Sequence, residues 1–119
     1  MAVPLSDSDI SALAAYLSEL NRPPTTVVEG NLRNGMTLYQ GNCGACHGPA
    51  GEGNPSFNAP ALAWLDGAYI QRQINNFQQG LRGSHRGDRY GRQMNLMAKG
   101  IESRDLDDII AHMRSRTRD

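Results

Sequence analysis

The chain has 119 residues with twelve basic and twelve acidic side chains, so it is one small domain with about a helix to spare, and nothing in its balance suggests a nucleic-acid binder or a polyanionic tail. No stretch approaches the ~18 successive apolar residues of a membrane helix, and no apolar run follows a basic start as in an export signal. Thirteen Gly and six Pro against 39% hydrophobic residues describe a loop-rich chain with a small core, of a size that often needs a disulfide, metal or cofactor for stability.

Leu5 to Leu20 reads as a helix. Ser6 caps it, Asp9 completes a capping box, and Leu5 with Ile10 forms a hydrophobic staple. Ile10, Leu13, Ala14, Leu17 and Leu20 make one apolar stripe. Residues 21–30 read as a linker, opened by Asn21 and the Pro23-Pro24 pair. A second helix over Leu32 to Asn42 delivers Cys43 at its C-terminal end, and Gly48 to Pro60 is a Gly/Pro-rich loop. A third helix starts near Asp66, carries Ile70, Ile74, Phe77 and Leu81 on one face, and exits at Gly80. Arg82 to Arg92 reads as a polar loop, Met94 to Ala98 as a short turn, and Ile101 onward as a last helix with Leu106, Ile109, Ile110 and Met113 inward. No segment alternates with period two, so the expected class is all-α.

Cys43 and Cys46 stand three apart and are followed at once by His47, giving C-G-A-C-H. That string reads as c-type haem attachment: two thiols at this spacing reach the two vinyl groups of one porphyrin, and the adjacent imidazole then lies beneath the iron. A structural zinc site needs four ligands, whereas His85 and His112 are remote and no second cysteine pair exists. A thioredoxin-like pair belongs in a βαβ unit, and a disulfide closing so short a loop stabilises little. One covalent haem c is the expected cofactor.

The end helices resemble each other at an offset of 96 residues: Met1, Ala2, Asp9 and Ala15 fall on Met97, Ala98, Asp105 and Ala111, while Leu5, Ile10 and Leu13 meet Ile101, Leu106 and Ile109. Any two capped amphipathic helices share some of this pattern. A repeat one small domain long instead makes residues 1–20 the tail of a preceding copy of the same domain, 21–30 the linker and 31–119 the domain itself. Met1 is then internal, which accounts for the missing export signal.

From about Asn31 to Met113 the chain resembles class I c-type cytochromes, specifically one half of the tandem two-haem cytochromes of the c4 kind. Gly35 and Tyr39 stand before the haem motif, followed by C-H-G-P-A-G-E-G-N, the run Y-I-Q-R-Q-I-N-N-F-Q-Q-G-L-R-G from Tyr69, and M-N-L-M-A-K-G-I from Met94. The resemblance implies the class I cytochrome c fold, three to five helices around one haem with an extra N-terminal helix. It implies His47 as proximal ligand, its second ring nitrogen donating to the Pro60 carbonyl. Met94, seven residues before Ile101, holds the family's sixth-ligand place; Met97 and His85 are the alternatives. A His/Met pair raises the potential and suits a carrier. Met36 is expected in the core, and His112, where the family carries Tyr or Phe, as a packing residue.

Leu62, Trp64, Ile74, Phe77 and Leu81 are expected as pocket walls, with Trp64 alternatively donating its N–H to a propionate. Residues 1–71 hold two basic and six acidic side chains, and residues 72–119 ten and six. Arg82, Arg86, Arg89 and Arg92 cluster around Asp88 alone, suited to haem propionates, Arg82 first, or to an acidic redox partner. With both axial positions filled, the iron has no open site, so the expected function is not enzymatic. The chain is expected to pass one electron between donor and acceptor proteins of a respiratory chain, with no nucleic acid as partner. The domain is expected in the periplasm, where haem attachment takes place, tethered to a membrane only through regions outside this sequence. The alternatives are a haem module of a larger redox enzyme and a haem enzyme or sensor with a labile sixth ligand.

Overall fold

The computed structural model describes residues 3–22 and 26–117. Met1 and Ala2 of the repeat and Pro23 and Pro24 of the linker lie outside the described residues. Among the described residues six α-helices follow in chain order: α1 (Asp7–Glu19), α2 (Leu32–Asn42), α3 (Gly44–His47), α4 (Gly67–Gln78), α5 (Arg89–Ala98) and α6 (Ser103–Arg116), with a 3-10 turn at Pro55–Phe57. Among the described residues there is no strand, only one isolated bridge between Asn54 and Ala59.

Each helix start follows its local chemistry. Ser6 and Asp9 form the reciprocal capping box of α1. Asn31 accepts from the Asn34 N–H to cap α2, and Asp66 accepts from the Ala68 and Tyr69 N–H groups to cap α4. The expected polar loop from Arg82 is shorter than the sequence suggests. Asp88 accepts from the Gly91 N–H and starts α5, a ten-residue helix where a short turn at Met94 to Ala98 was expected. Tertiary bonds hold it: Asn95 Nδ2 donates to the Phe77 carbonyl at 2.6 Å, and Gln78 Nε2 donates to the Ala98 and Ile101 carbonyls.

α2 crosses α6 at very short range. A Cβ on Gly35 would overlap the Asp108 carbonyl oxygen and come within 2.9 Å of His112 Cβ. This crossing seats Tyr39 of α2 and Ile70 of α4 with Leu106, Ile109, Ile110 and Met113 of α6 in one core. The linker's described end is strapped to the same body. The Thr26 N–H donates to Asp66 Oδ1 at 2.5 Å, the Asn31 N–H to Asp108 Oδ1 at 2.6 Å, and Val28 packs against the core. By contrast, α1 has no buried residue. Met36 is also exposed rather than in the core.

Candidate haem site

α2 ends at Cys43, which caps the single turn of α3, so Cys43, Cys46 and His47 come from one tight helical step. No disulfide joins the two cysteines. Burial, and after it the neighbouring Cys46, pushes the Cys43 thiol up to about 11, so that apolar side presents an uncharged sulfur. His47 is buried, and its Nδ1 lies 2.8 Å from the Pro60 carbonyl. A carbonyl only accepts, so Nδ1 carries the proton and Nε2 is left as the metal-binding nitrogen.

The loop between the two is shaped by backbone bonds. The Gly53 N–H donates to the His47 carbonyl, and the Leu62 and Ala63 N–H groups share the Gly51 carbonyl. Gly53 sits at φ 86°, where a side chain would also strike Ala61 N at 2.7 Å; only glycine lets the loop fold back and bring Pro60 to the imidazole. Tyr39 donates its hydroxyl to the Gly48 carbonyl at 2.6 Å, and burial above all pushes its phenol up to about 12, keeping it a donor.

Beside this turn lies a cavity of about 510 Å³, bordered by Cys43, His47, Pro60, Leu62, Phe77 and Met94 among others. That is the size class of a cofactor pocket, and its lining is mostly apolar with few polar groups. An uncharged thiol, an imidazole with its outer nitrogen already fixed, and three thioethers on the same cavity, Met94 and Met97 of α5 and the core residue Met113 of α6, fit a haem. Arg82 borders it too, its guanidinium 4.7 Å from the Phe77 ring centre and donating to Gln73 Oε1 at 3.0 Å.

Other expected residues stand elsewhere. Ile74 does line the cavity, but Trp64 does not: it is half exposed, with the Arg22 guanidinium 5.1 Å from its ring centre. Leu81 is also absent from the lining and is 73% exposed, because α4 ends at Gln78 and the chain turns outward at Gly80. His85 lies off the cavity, its Nδ1 accepting from the Gly87 N–H. Cys46 is partly buried beside the cavity-lining Cys43 without bordering the cavity itself. Tyr69, Gln73 and Tyr90 are lining residues that sequence reading missed. The signal for two of them was present: Tyr69 and Gln73 precede Phe77 at four-residue steps along α4.

Helices closed on a cavity that opens at the C-G-A-C-H turn put this chain among the c-type haem domains. A family model described as cytochrome c matches residues 32–117, and the chain belongs to the cytochrome c family. It is 34% identical to cytochrome c4 of Azotobacter vinelandii over 86 residues, 65% of this chain and 40% of that protein. Against cytochrome c4 of Thiocapsa roseopersicina it is 30% identical over 120 residues, 93% of this chain and 58% of that protein. A thiosulfate dehydrogenase electron acceptor of Stutzerimonas stutzeri (strain A1501) is 34% identical over 103 residues, 76% of this chain and 47% of that protein. The chain thus spans about half the length of the curated relatives it matches. It is a class I c-type cytochrome domain resembling that of cytochrome c4, with a covalent haem c and an electron-transfer role. Among the described residues no helix is long and apolar enough to cross a membrane.

Proposed function

We propose that this chain carries single electrons through a haem c held between His47 and Met94, exchanging them with protein partners of a periplasmic respiratory chain. The observation that carries the reading is the shared cavity: Met94 borders it together with Cys43 and the Pro60-oriented His47. Met94 is partly buried, whereas Met97, on the same cavity, is 45% exposed, and His85 lies outside it. When bound, the haem supplies a ferric/ferrous couple, and a thioether ligand favours the ferrous form. The chain's own part is to orient the imidazole, exclude water with Leu62, Ile74 and Phe77, and hold Arg82 at the cavity, where its guanidinium would pair with a carboxylate of the bound group.

The chain also belongs, on this reading, to a longer protein whose preceding unit is a second cytochrome c domain ending in α1. Leu13 and Leu17 of α1 are 47% and 62% exposed, while their counterparts in α6, Ile109 and Met113, are 4% and 3%. α1 thus carries the stripe that α6 buries on α2, without a helix to bury it. A cytochrome c4 alignment that covers 93% of this chain reaches into α1. A second reading, a relay module serving a larger oxidoreductase, is favoured by the likeness to a thiosulfate dehydrogenase electron acceptor.

The test compares Met94→Ala with Met97→Ala in the holoprotein. Met94→Ala should lose the sulfur–iron absorption of the ferric form, lower the midpoint potential and open the iron to carbon monoxide, while Met97→Ala keeps all three near wild type. The reverse pattern transfers the ligand role to Met97, and rapid carbon monoxide binding by wild type favours the labile-ligand enzyme or sensor.

A further inference from the structure

The acceptor that orients His47 sits on a stretch of chain with little of its own to hold it. Pro60, whose carbonyl takes the imidazole proton at 2.8 Å, is exposed, as is Ala61, and neither belongs to a helix. Full burial resumes at Ala63, which is 4% exposed. Within the loop, the Leu62 and Ala63 N–H groups share the Gly51 carbonyl. Such bonds fix the loop's shape, but a loop bonded only to itself still opens as a unit. Its near end is held from outside, at Gly48, by the Tyr39 hydroxyl of α2.

α6 holds the far end. Arg114 Nη1 donates to the Ala63 carbonyl at 2.6 Å, and among the described residues no other hydrogen bond reaches residues 61–63 from outside the loop. An ionised donor makes this bond shorter and stronger than one between neutral groups. The same helix carries Ile109 and Met113, which border the cavity. Arg114 therefore ties the loop to a wall of the pocket that His47 also lines.

Stability alone does not account for a guanidinium here. Its other terminal nitrogen, Nη2, is buried without a hydrogen-bond partner. Burial holds its pKa below the ordinary guanidinium range, against the pull of Asp66. That carboxylate is already engaged with the Thr26 N–H and the first turn of α4. A buried donor left unpaired costs stability, and methionine or leucine at position 114 would carry no such donor.

We propose that Arg114 is a positioning residue for the proximal imidazole. By fixing the Ala63 carbonyl to α6, it keeps the Pro60 carbonyl in place to accept the His47 Nδ1 proton, and so keeps Nε2 free as the ligand atom. The acceptor on the outer nitrogen sets both the orientation and the basicity of a ligand histidine. The inference rests on the reading of His47 as haem ligand and adds the side chain that acts on it from α6.

Hydrogen–deuterium exchange of the ferrous holoprotein, followed by nuclear magnetic resonance, tests it. Two protons are compared: the His47 Nδ1–H and the Ile110 backbone N–H of α6. Arg114→Met should speed exchange of the imidazole proton about tenfold or more, the worth of one charge-assisted hydrogen bond, and that of Ile110 less than about twofold. The Nδ1–H resonance should also move upfield as its bond to Pro60 lengthens. Arg114→Gln, two atoms too short to reach the same carbonyl, should do the same and serves where the methionine variant does not accumulate with haem. Arg104→Met, an equal charge change at an exposed place on α6, should move neither proton. An imidazole proton that exchanges as slowly as in wild type overturns the proposal. So does an acceleration shared equally by Ile110, which reports general loosening of the fold. His47 ring protons without the upfield shift of a haem ring current defeat the ligand reading itself.

Discussion

Gly35→Ala probes the helix crossing on which the haem cavity is built. The added methyl would lie on the Asp108 carbonyl oxygen and 2.9 Å from His112 Cβ. Neither is a flexible side-chain end: one is helix backbone, and the other is fixed to it. The Asp108 carboxylate, accepting from the Asn31 N–H at 2.6 Å and from Asn34 Nδ2 at 2.7 Å, ties that turn of α6 back to α2. Restoring ordinary contact near 3.5 Å requires the helices to part by roughly an ångström or more. Overpacking on this scale costs about 1–3 kcal/mol, and parting also loosens Ile109 and Ile110 in the core. Replacing glycine by alanine within a helix returns about 1 kcal/mol, so a net loss near ~2 kcal/mol is expected from the upper part of that range. Gly41, on the same helix, has nothing within 4 Å of the place a methyl would take, and Gly41→Ala should stabilise by about 0.5–1 kcal/mol. Urea unfolding of the ferric holoprotein, followed by far-ultraviolet circular dichroism and by haem absorbance, measures both through their midpoints at constant m. A Gly35→Ala protein as stable as wild type, or shifted like Gly41→Ala, would refute the close-crossing argument.

Tyr39→Phe removes the hydroxyl donor to the Gly48 carbonyl and should cost about 1–2 kcal/mol in the same unfolding assay, with the haem spectrum retained. His112 is buried at the crossing with its ring 6.0 Å from Tyr39, and burial, then the charge of Arg116, holds its pKa below the ordinary value of 6.5. The unfolded chain therefore takes up this proton first, so His112 contributes stability that is fully present above about pH 6.5 and is lost as pH falls through that value toward the lower folded one. His112→Phe should flatten the fall in unfolding midpoint between pH 7.5 and 5.5 relative to wild type. An unchanged slope between the two proteins argues against a neutral buried imidazole.

Much of the site was legible because its signals are local. C-G-A-C-H needs only adjacent residues, and the caps at Ser6, Asn31 and Asp66 need only the next turn of helix. The periodic stripe of α6 likewise predicted the buried set Leu106, Ile109, Ile110 and Met113. α5 escaped because its apolar stripe is only Tyr90, Met94 and Met97, set among Arg, Gln, Asn and Gly91, and its hydrogen bonds from Asn95 and Gln78 come from across the fold. Trp64 and Leu81 stand off the cavity for a related reason: hydrophobicity says that a side chain favours burial, while the direction of the chain after Leu62 and after Gly80 decides whether a pocket lies there.

Taken alone, the sequence settled the covalent cofactor and the all-α class, since attachment chemistry and helical periodicity depend on spacing within a few residues. Only the tertiary structure decided that Met94 and Met97 border the cavity while His85 does not, that the strap at Thr26 to Asn31 lies on the domain, and that Arg82 stacks on the cavity-lining Phe77. Those facts depend on which distant segments meet, and packing across the α2–α6 and α4–α5 contacts sets that.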